Sequence, residues 1–322
     1  MSQIDMPLFP LPQQKQIWAV GGCKGGTGKT IVTVSLGILL SRLGHRVVLI
    51  DTDLGGANLH TCAGIRYPAK TISDFLLKKT NSLEDLLTET SIENLKIISG
   101  ANDSLTIANL PHVQKLKLIH NIRRLPADYI ILDLGAGTSF NVLDIFLMAD
   151  SGIVVITPEP TSVENVYRFI KSAILRKISN YLSDLKYNDI LKEAVASKEN
   201  GPLKSICDLV EKINRIDSSI SASLEEKISS FYPKVIINQV RANDNMMLGM
   251  SIKDIANKYL GVNLDYVGYI PYDETVHESV KKFKPLIIEY PNCSVSLCMS
   301  LTLKKLLNGK EPLRGIDAGQ II

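Results

Sequence analysis

No run in this chain approaches the ~20 consecutive apolar residues that a membrane-spanning helix requires. The opening residues, MSQIDMPLFPLPQQKQ, lack the charged-then-apolar order of a secretory signal. Their prolines predict an extended arm over residues 1–14. There is no excess of charge of one sign: 36 Lys+Arg stand against 33 Asp+Glu, a net +3. That is too small to argue for a nucleic-acid partner from composition. No basic stripe is interleaved with aromatics. The five cysteines (Cys23, Cys62, Cys207, Cys293, Cys298) form no C-x-x-C pair. An odd, dispersed set fits a reducing, cytoplasmic setting better than a disulfide framework. Repeats, low-complexity tracts and clear linkers are missing too. With 322 residues and 45% hydrophobic content, the chain reads as one large α/β domain over 15–310, with 311–322 as a tail.

What is present centres on Cys23-Lys24-Gly25-Gly26-Thr27-Gly28-Lys29-Thr30. The apolar run Ile17–Val20 before it reads as a strand, and Ile31–Leu43 after it reads as a helix ended by Gly44. Strand, glycine-rich turn and helix is the setting of a phosphate-binding loop. Glycines let the backbone wrap a phosphate without a side chain in the way. The free amides at the helix start then face the anion. Lys29 is placed to reach β- and γ-phosphates, and the Thr30 hydroxyl to ligate Mg²⁺.

A second apolar strand, Arg46–Ile50, completes a βαβ unit and predicts a parallel sheet. It ends in Asp51-Thr52-Asp53, followed by Leu54-Gly55-Gly56-Ala57-Asn58. Carboxylates at a strand's carboxyl end lie where α/β sheets place ligands. Tyr129–Leu132 followed by Asp133 has the Walker B form, a buried strand delivering an acid that holds a Mg²⁺ water. Gly137, just beyond, can offer a backbone N–H to a γ-phosphate. Leu95–Ile98, Gly152–Thr157, Lys234–Asn238 and Tyr266–Ile270 read as further strands. Pro111–Leu125 reads as an amphipathic helix on the spacing of Val113, Leu116, Ile119 and Ile122. His112 and His120 on or near it have no partner at ligand spacing. Amphipathic pieces occur at Ser73–Leu77 and Leu83–Leu87. Helices are also predicted over Val163–Leu182, Ile252–Tyr259 and Val295–Leu307. Between about 183 and 233 a helical excursion is predicted, two helices broken near Asp217-Ser218-Ser219. It either packs on the parent domain or forms a partner-binding surface.

The loop carries a second lysine, Lys24, before the glycine pair. Lys-Gly-Gly-Thr-Gly-Lys-Thr resembles the deviant Walker A sequence of the MinD/ParA family of P-loop ATPases. The resemblance covers nearly the whole chain outside the arm and the excursion. Asp51–Gly55 is similar to the family's switch I and Asp133–Gly137 to its switch II. Within the family, Asp-x-Asp-Leu-Gly-x-Ala-Asn at 51–58 and Ile-Pro-Tyr-Asp at 270–273 look most like the MinD and FlhG branch.

The resemblance implies an α/β, three-layer P-loop NTPase fold: a mostly parallel central sheet, helices on both faces and a helical insertion. It implies ATP and Mg²⁺ as cofactors and an ATP-dependent homodimer in which Lys24 crosses to the partner's phosphates. Lys24, Lys29 and Asp53 are the implied catalytic residues, with Asp53 orienting the attacking water. Gly25, Gly26, Thr27, Gly28, Lys29, Thr30, Ile31 and Gly137 would hold the phosphates. Asn238, Pro271 and Asp273 would hold adenine. Thr30, Asp133 and Asp51 would hold the metal, the acids acting through water. The implied role is a slow ATPase switch, stimulated by an activating or cargo protein, that positions a flagellum or division site. It would be cytoplasmic, with a peripheral membrane surface or cell pole as a further setting. A ParA-like role in partitioning DNA is the alternative, with Lys281, Lys282, Lys284, Lys304, Lys305 and Lys310 as its basic surface. A metallocluster carrier would need a paired cysteine motif that this chain lacks. A non-hydrolysing scaffold is disfavoured by intact Lys24, Lys29, Asp53 and Asp133. Three features depart from the family pattern. Cys23 replaces the first Walker glycine. Residues 1–16 lack the Gln-Ala-x-x-Leu-Arg element common in FlhG proteins. Residues 311–322, with one proline and two glycines, do not suit an amphipathic membrane helix.

Overall fold

The computed structural model describes residues 14–53, 56–100, 111–185, 206–245 and 247–308. The arm up to residue 13, the whole tail, Lys310, Leu54 and Gly55, and the first part of the excursion beyond 185 lie outside these residues. Eight strands form one sheet: β1 (Gln16–Gly21), β2 (Val47–Asp51), β3 (Thr88–Glu89), β4 (Leu95–Ile98), β5 (Tyr129–Asp133), β6 (Ser151–Ile156), β7 (Lys234–Val240) and β8 (Asp265–Pro271). Their spatial order is β3-β4-β2-β5-β1-β6-β7-β8. Every neighbouring pair is parallel except β3 with β4.

Parallel pairing requires crossovers, and these are helices. They are α1 (Lys29–Arg42), α2 (Leu59–Cys62), α3 (Ile72–Leu76), α4 (His112–Arg124), α5 (Phe140–Met148), α6 (Pro160–Asp184), α7 (Ile206–Ile216), α8 (Ser221–Ser229), α9 (Leu248–Leu260), α10 (Thr275–Lys281), α11 (Leu286–Glu289) and α12 (Ser294–Asn308). Strand alternation divides the interior in two. Ile17, Ala19, Ile130, Leu132, Val154 and Ile156 face one core with residues of α4 to α9. Trp18, Val20, Leu49, Ile131, Ile153 and Val155 face the other, with α1, α11 and α12. The result is the expected three layers. Because both faces are covered, the strands read as continuous apolar runs rather than alternating ones. Helix α1 is buried from Val32 to Ser41, so it too is apolar on all sides, unlike a surface helix.

The excursion is helical where described, and its break falls at residues 217–220, where the Asp217 carboxylate accepts the N–H and hydroxyl of Ser219. Ile206, Leu209, Ile213, Ile220, Leu224 and Phe231 are buried in the core they share with α6. Packing on the parent domain therefore accounts for its apolar spacing.

The predicted face of α4 holds at Ile119 and Ile122, which pack on the core, and is corrected at Val113 and Leu116. Val113 is 77% exposed and Leu116 51%, whereas Leu118 and Ile122 are buried. The helix is turned so that Lys115, only 5% exposed, points inward. It forms an ion pair there with Asp144 of α5. Arg176 of α6 grips the same carboxylate with two N–H bonds, at 2.6 and 2.8 Å, and Asn180 adds a third at 3.2 Å. Burial alone would raise the Asp144 pKa, but the bonds from Arg176, Lys115 and Asn180 outweigh it and hold it down at about 2. One carboxylate thus ties three helices together.

Candidate functional site

The glycine loop leaves the carboxyl end of β1, with β5 on one side and β6 on the other. Its turn requires left-handed backbone at Gly26 (φ 75°) and Gly28 (φ 86°). Gly28 is the N-cap of α1, whose first amides therefore open on the loop. A Cβ at Gly25 or Gly26 would meet nothing within 4 Å, so the loop borders open space. The Thr27 hydroxyl is buried with no hydrogen-bond partner among the described residues. A buried orphan beside free helix amides fits a phosphate oxygen.

Lys29, 9% exposed, donates to the carbonyl of Lys24 at 3.2 Å. Burial lowers its pKa, and Asp133 and Asp53 act in the opposite direction. Lys24 lies outside, about half exposed, paired with Glu159 at 2.5 Å.

Asp51 and Asp133 are neighbours across the β2–β5 pairing. The hydroxyls of Thr30 (2.7 Å) and Thr33 (3.2 Å) donate to the two oxygens of Asp133. Burial, then the charge of Asp51, pushes Asp133 up to about 7. Burial likewise raises Asp51 to about 6. Two acids at this depth with raised pKa values form a site short of positive charge. Oxygen donors from Thr30 and Asp133, with Asp51 behind, suit Mg²⁺, which keeps waters and takes few protein ligands. Asp51 also has a structural task. Its oxygens accept the N–H groups of Asp53 and Leu59, both at 3.0 Å, and so tie the end of β2 to the start of α2. The Asp53 side chain leans on switch II, since a Cβ at Gly135 would lie 3.2 Å from its carboxyl group.

Gly137, with φ 104°, donates its N–H to the carbonyl of Gly22 at 3.1 Å. It therefore sits against the glycine loop, and serving a phosphate requires this N–H to change partners. Asn238 and Pro271 stand at the ends of adjacent strands. Asn238 donates its side-chain N–H to the Thr27 carbonyl at 2.8 Å. Asp273, just before α10, accepts the N–H and hydroxyl of Thr275, and also accepts from Ser294 at 3.0 Å. Arg241, stacked on the Tyr272 ring at 4.4 Å, walls the same end. Two contacts in this region had no signal in the motif spacing. One is Glu159 against Lys24. The other is Gln239, whose side chain donates to the Gly26 carbonyl at 2.9 Å.

A parallel sheet, a glycine loop feeding a helix N-terminus and two buried acids across the loop define a P-loop nucleotide-binding protein. The chain belongs to the CobQ/CobB/MinD/ParA nucleotide binding domain family, which it matches over residues 18–286. It is 25% identical over 293 residues to the antiactivator FleN of Pseudomonas aeruginosa, covering 90% of this chain and 86% of that protein. It is 29% identical over 194 residues to the septum site-determining protein MinD of Helicobacter pylori, covering 58% of this chain and 70% of that protein. Among solved structures it is similar to MinD of Pyrococcus horikoshii complexed with Mg-ADP, with TM-score 0.61, 20% identity and coverage of 91% and 96%. The MinC:MinD complex of Aquifex aeolicus gives TM-score 0.60 at 20% identity, covering 93% and 98%. At these identities the two structures speak to the fold.

Proposed function

We propose that this protein is an ATP-hydrolysing switch that dimerises on ATP and positions a cellular structure, a flagellum or a division site. The observation that carries the reading is the second loop lysine. Lys24 is exposed at the mouth of the loop and held there by a surface ion pair to Glu159, with both side chains about half solvent-accessible. Such pairs are worth about 0–1 kcal/mol, so Lys24 leaves Glu159 at little cost for a phosphate of a facing copy. Lys29 and the amides of Gly25 to Ile31 hold the phosphates of their own chain's nucleotide. Thr30, with Asp133 and Asp51 behind it, would hold Mg²⁺, which would supply positive charge against the phosphate charge that builds in the reaction. Asp53 orients the water, and Lys24 stabilises the leaving oxygens across the dimer as an arginine finger does.

Asn238 can also take part in base selection. A carbonyl only accepts, so the contact with Thr27 orients the Asn238 amide with its nitrogen on the loop. Its oxygen is left as an acceptor, which suits the amino group of adenine rather than the oxo group of guanine. Pro271 and Asp273 close the same end. Hydrolysis is slow and awaits an activating or cargo protein, and the resemblance to FleN and MinD favours flagellar or septal partners. A membrane surface is a further candidate partner. The DNA-partitioning alternative has weaker support, because Lys282 and Lys284 are both engaged by Glu289.

Lys24→Ala tests the reading. It is expected to bind Mg-ATP as the parent does, remain monomeric by light scattering and lose hydrolysis. Parental turnover in this variant overturns the trans role of Lys24.

A further inference from the structure

The carbonyls of the glycine loop need donors of their own. Two consecutive side chains of β7 supply them: Asn238 to the Thr27 carbonyl and Gln239 to the Gly26 carbonyl. Consecutive side chains on a strand ordinarily point to opposite faces. Here the alternation is broken. Val235 and Ile237 face one core and Ile236 the other, yet Val240 returns to the face of Val235 and Ile237. The slip lies at Gln239, a non-glycine residue with φ 62°, where the β7–β8 register also shifts between Ile237 and Val240. Left-handed backbone is uncommon for such a residue and marks a position the surrounding structure enforces. Its effect is to bring both amides beneath Gly28. A Cβ on Gly28 would lie 2.2 Å from the Asn238 nitrogen and 3.9 Å from that of Gln239.

We infer that Gln239 is a positioning residue for nucleotide binding. By donating to the Gly26 carbonyl, it holds the peptide units of the loop with their N–H groups aimed at the phosphates before nucleotide arrives. Asn238 alone secures Thr27. Gln239 extends the clamp to the glycine pair beside Lys24, where a Cβ at either glycine would meet nothing within 4 Å. The inference rests on the nucleotide-binding reading above and adds a residue that none of the loop or switch motifs contains.

The test compares the parent protein with Gln239→Gly, Gln239→Glu and Gln239→Arg, by calorimetric titration with Mg-ADP, steady-state ATPase and nucleotide-free melting. Gln239→Gly keeps the left-handed backbone and removes only the donor. It is expected to bind Mg-ADP about tenfold more weakly, with KM raised about tenfold and kcat unchanged, the scale of one lost hydrogen bond. Gln239→Glu places an acceptor against a carbonyl and is expected to lose more, about a hundredfold. Gln239→Arg keeps a donor and is expected to recover affinity to within about threefold of the parent. Melting without nucleotide is expected to be unchanged in Gln239→Gly. Parental affinity in Gln239→Glu, or an affinity loss in Gln239→Gly matched by a lower nucleotide-free melting temperature, overturns the positioning role. A parent protein that binds no Mg-ADP overturns the nucleotide reading itself, which the other outcomes leave standing.

Discussion

Gly28 shows how much one residue carries. It caps α1, takes a left-handed φ of 86° and leaves room for the Asn238 amide against its Cα. Gly28→Ala is expected to cost about 1–2 kcal/mol of stability from backbone strain alone. It should also weaken Mg-ADP binding by more than tenfold, because the clamp and the helix amides move together. Chemical denaturation and calorimetric titration of the same preparation separate the two effects. The loop residues were legible at this scale because their spacing is the chemistry. Gly25 to Thr30 must be consecutive to wrap one phosphate chain, so the order of residues already describes the site. Asp133 was legible because a buried apolar strand ending in an acid has few other uses beside such a loop. Glu159 and Gln239 were not legible. Each meets the loop from far along the chain, and no spacing rule links residue 239 to residue 26.

Among elements, α4, α5 and α6 depend on one another through Asp144. Removing one partner of a buried ion pair strands the other charge. Asp144→Ala is accordingly expected to destabilise the fold by about 3–5 kcal/mol in urea unfolding. Lys115→Met, which fills the same space without the charge, is expected to cost less, since Arg176 and Asn180 still serve the acid. The pH dependence has a definite sign. The Asp144 pKa is held at about 2 in the folded protein, below its ordinary 3.8. Its contribution, about 2 kcal/mol, is present above pH ~4 and is lost as pH falls through 2. Melting curves of the parent and Asp144→Asn are expected to converge over that window and to differ most at neutral pH. Sequence periodicity found α4 and the packing of its Ile119 and Ile122 on the core, but also took Val113 and Leu116 as part of the apolar face, whereas both are exposed and Lys115 is buried. Polarity patterns assume that charges face water, and a lysine with a buried carboxylate partner reverses that assumption. The two-residue antiparallel strand β3 was missed for a different reason: Thr88–Glu89 has no pattern of its own and exists only by pairing with β4.

For the molecule as a whole, the open mouth of the loop sets the expectations. Lys24 is half exposed beside the loop, and the Asp53 carboxyl lies against Gly135. On the proposed reading, ATP and a second copy would complete this face. Asp53→Ala is expected to bind Mg-ATP, fail to hydrolyse it and accumulate as a dimer in light scattering. A purely monomeric species at saturating ATP would contradict the proposed ATP-dependent dimer. Among the described residues no helix is long and apolar enough to cross a membrane. Affinity for lipid is therefore a separate measurement, best made by vesicle flotation of the ATP-locked Asp53→Ala protein.

The amino-acid order by itself determined the phosphate loop with its extra lysine, the two acids at strand ends, and a doubly covered parallel sheet. These are local facts: contiguous residues, or apolar runs long enough for one strand, express them without reference to the rest of the chain. Tertiary structure alone decided the contacts of Lys24 with Glu159, Asn238 and Gln239 with the loop carbonyls, and Lys115 with Asp144. Each joins residues far apart in sequence, and the contacts of the loop depend on strand order. Here β6 lies beside β1 and β7 beside β6, although more than a hundred residues separate both strands from β1 along the chain. Hydrogen bonds and ion pairs act over about 3 Å, so they form only after the sheet has brought those strands together, which is why the sequence does not announce them.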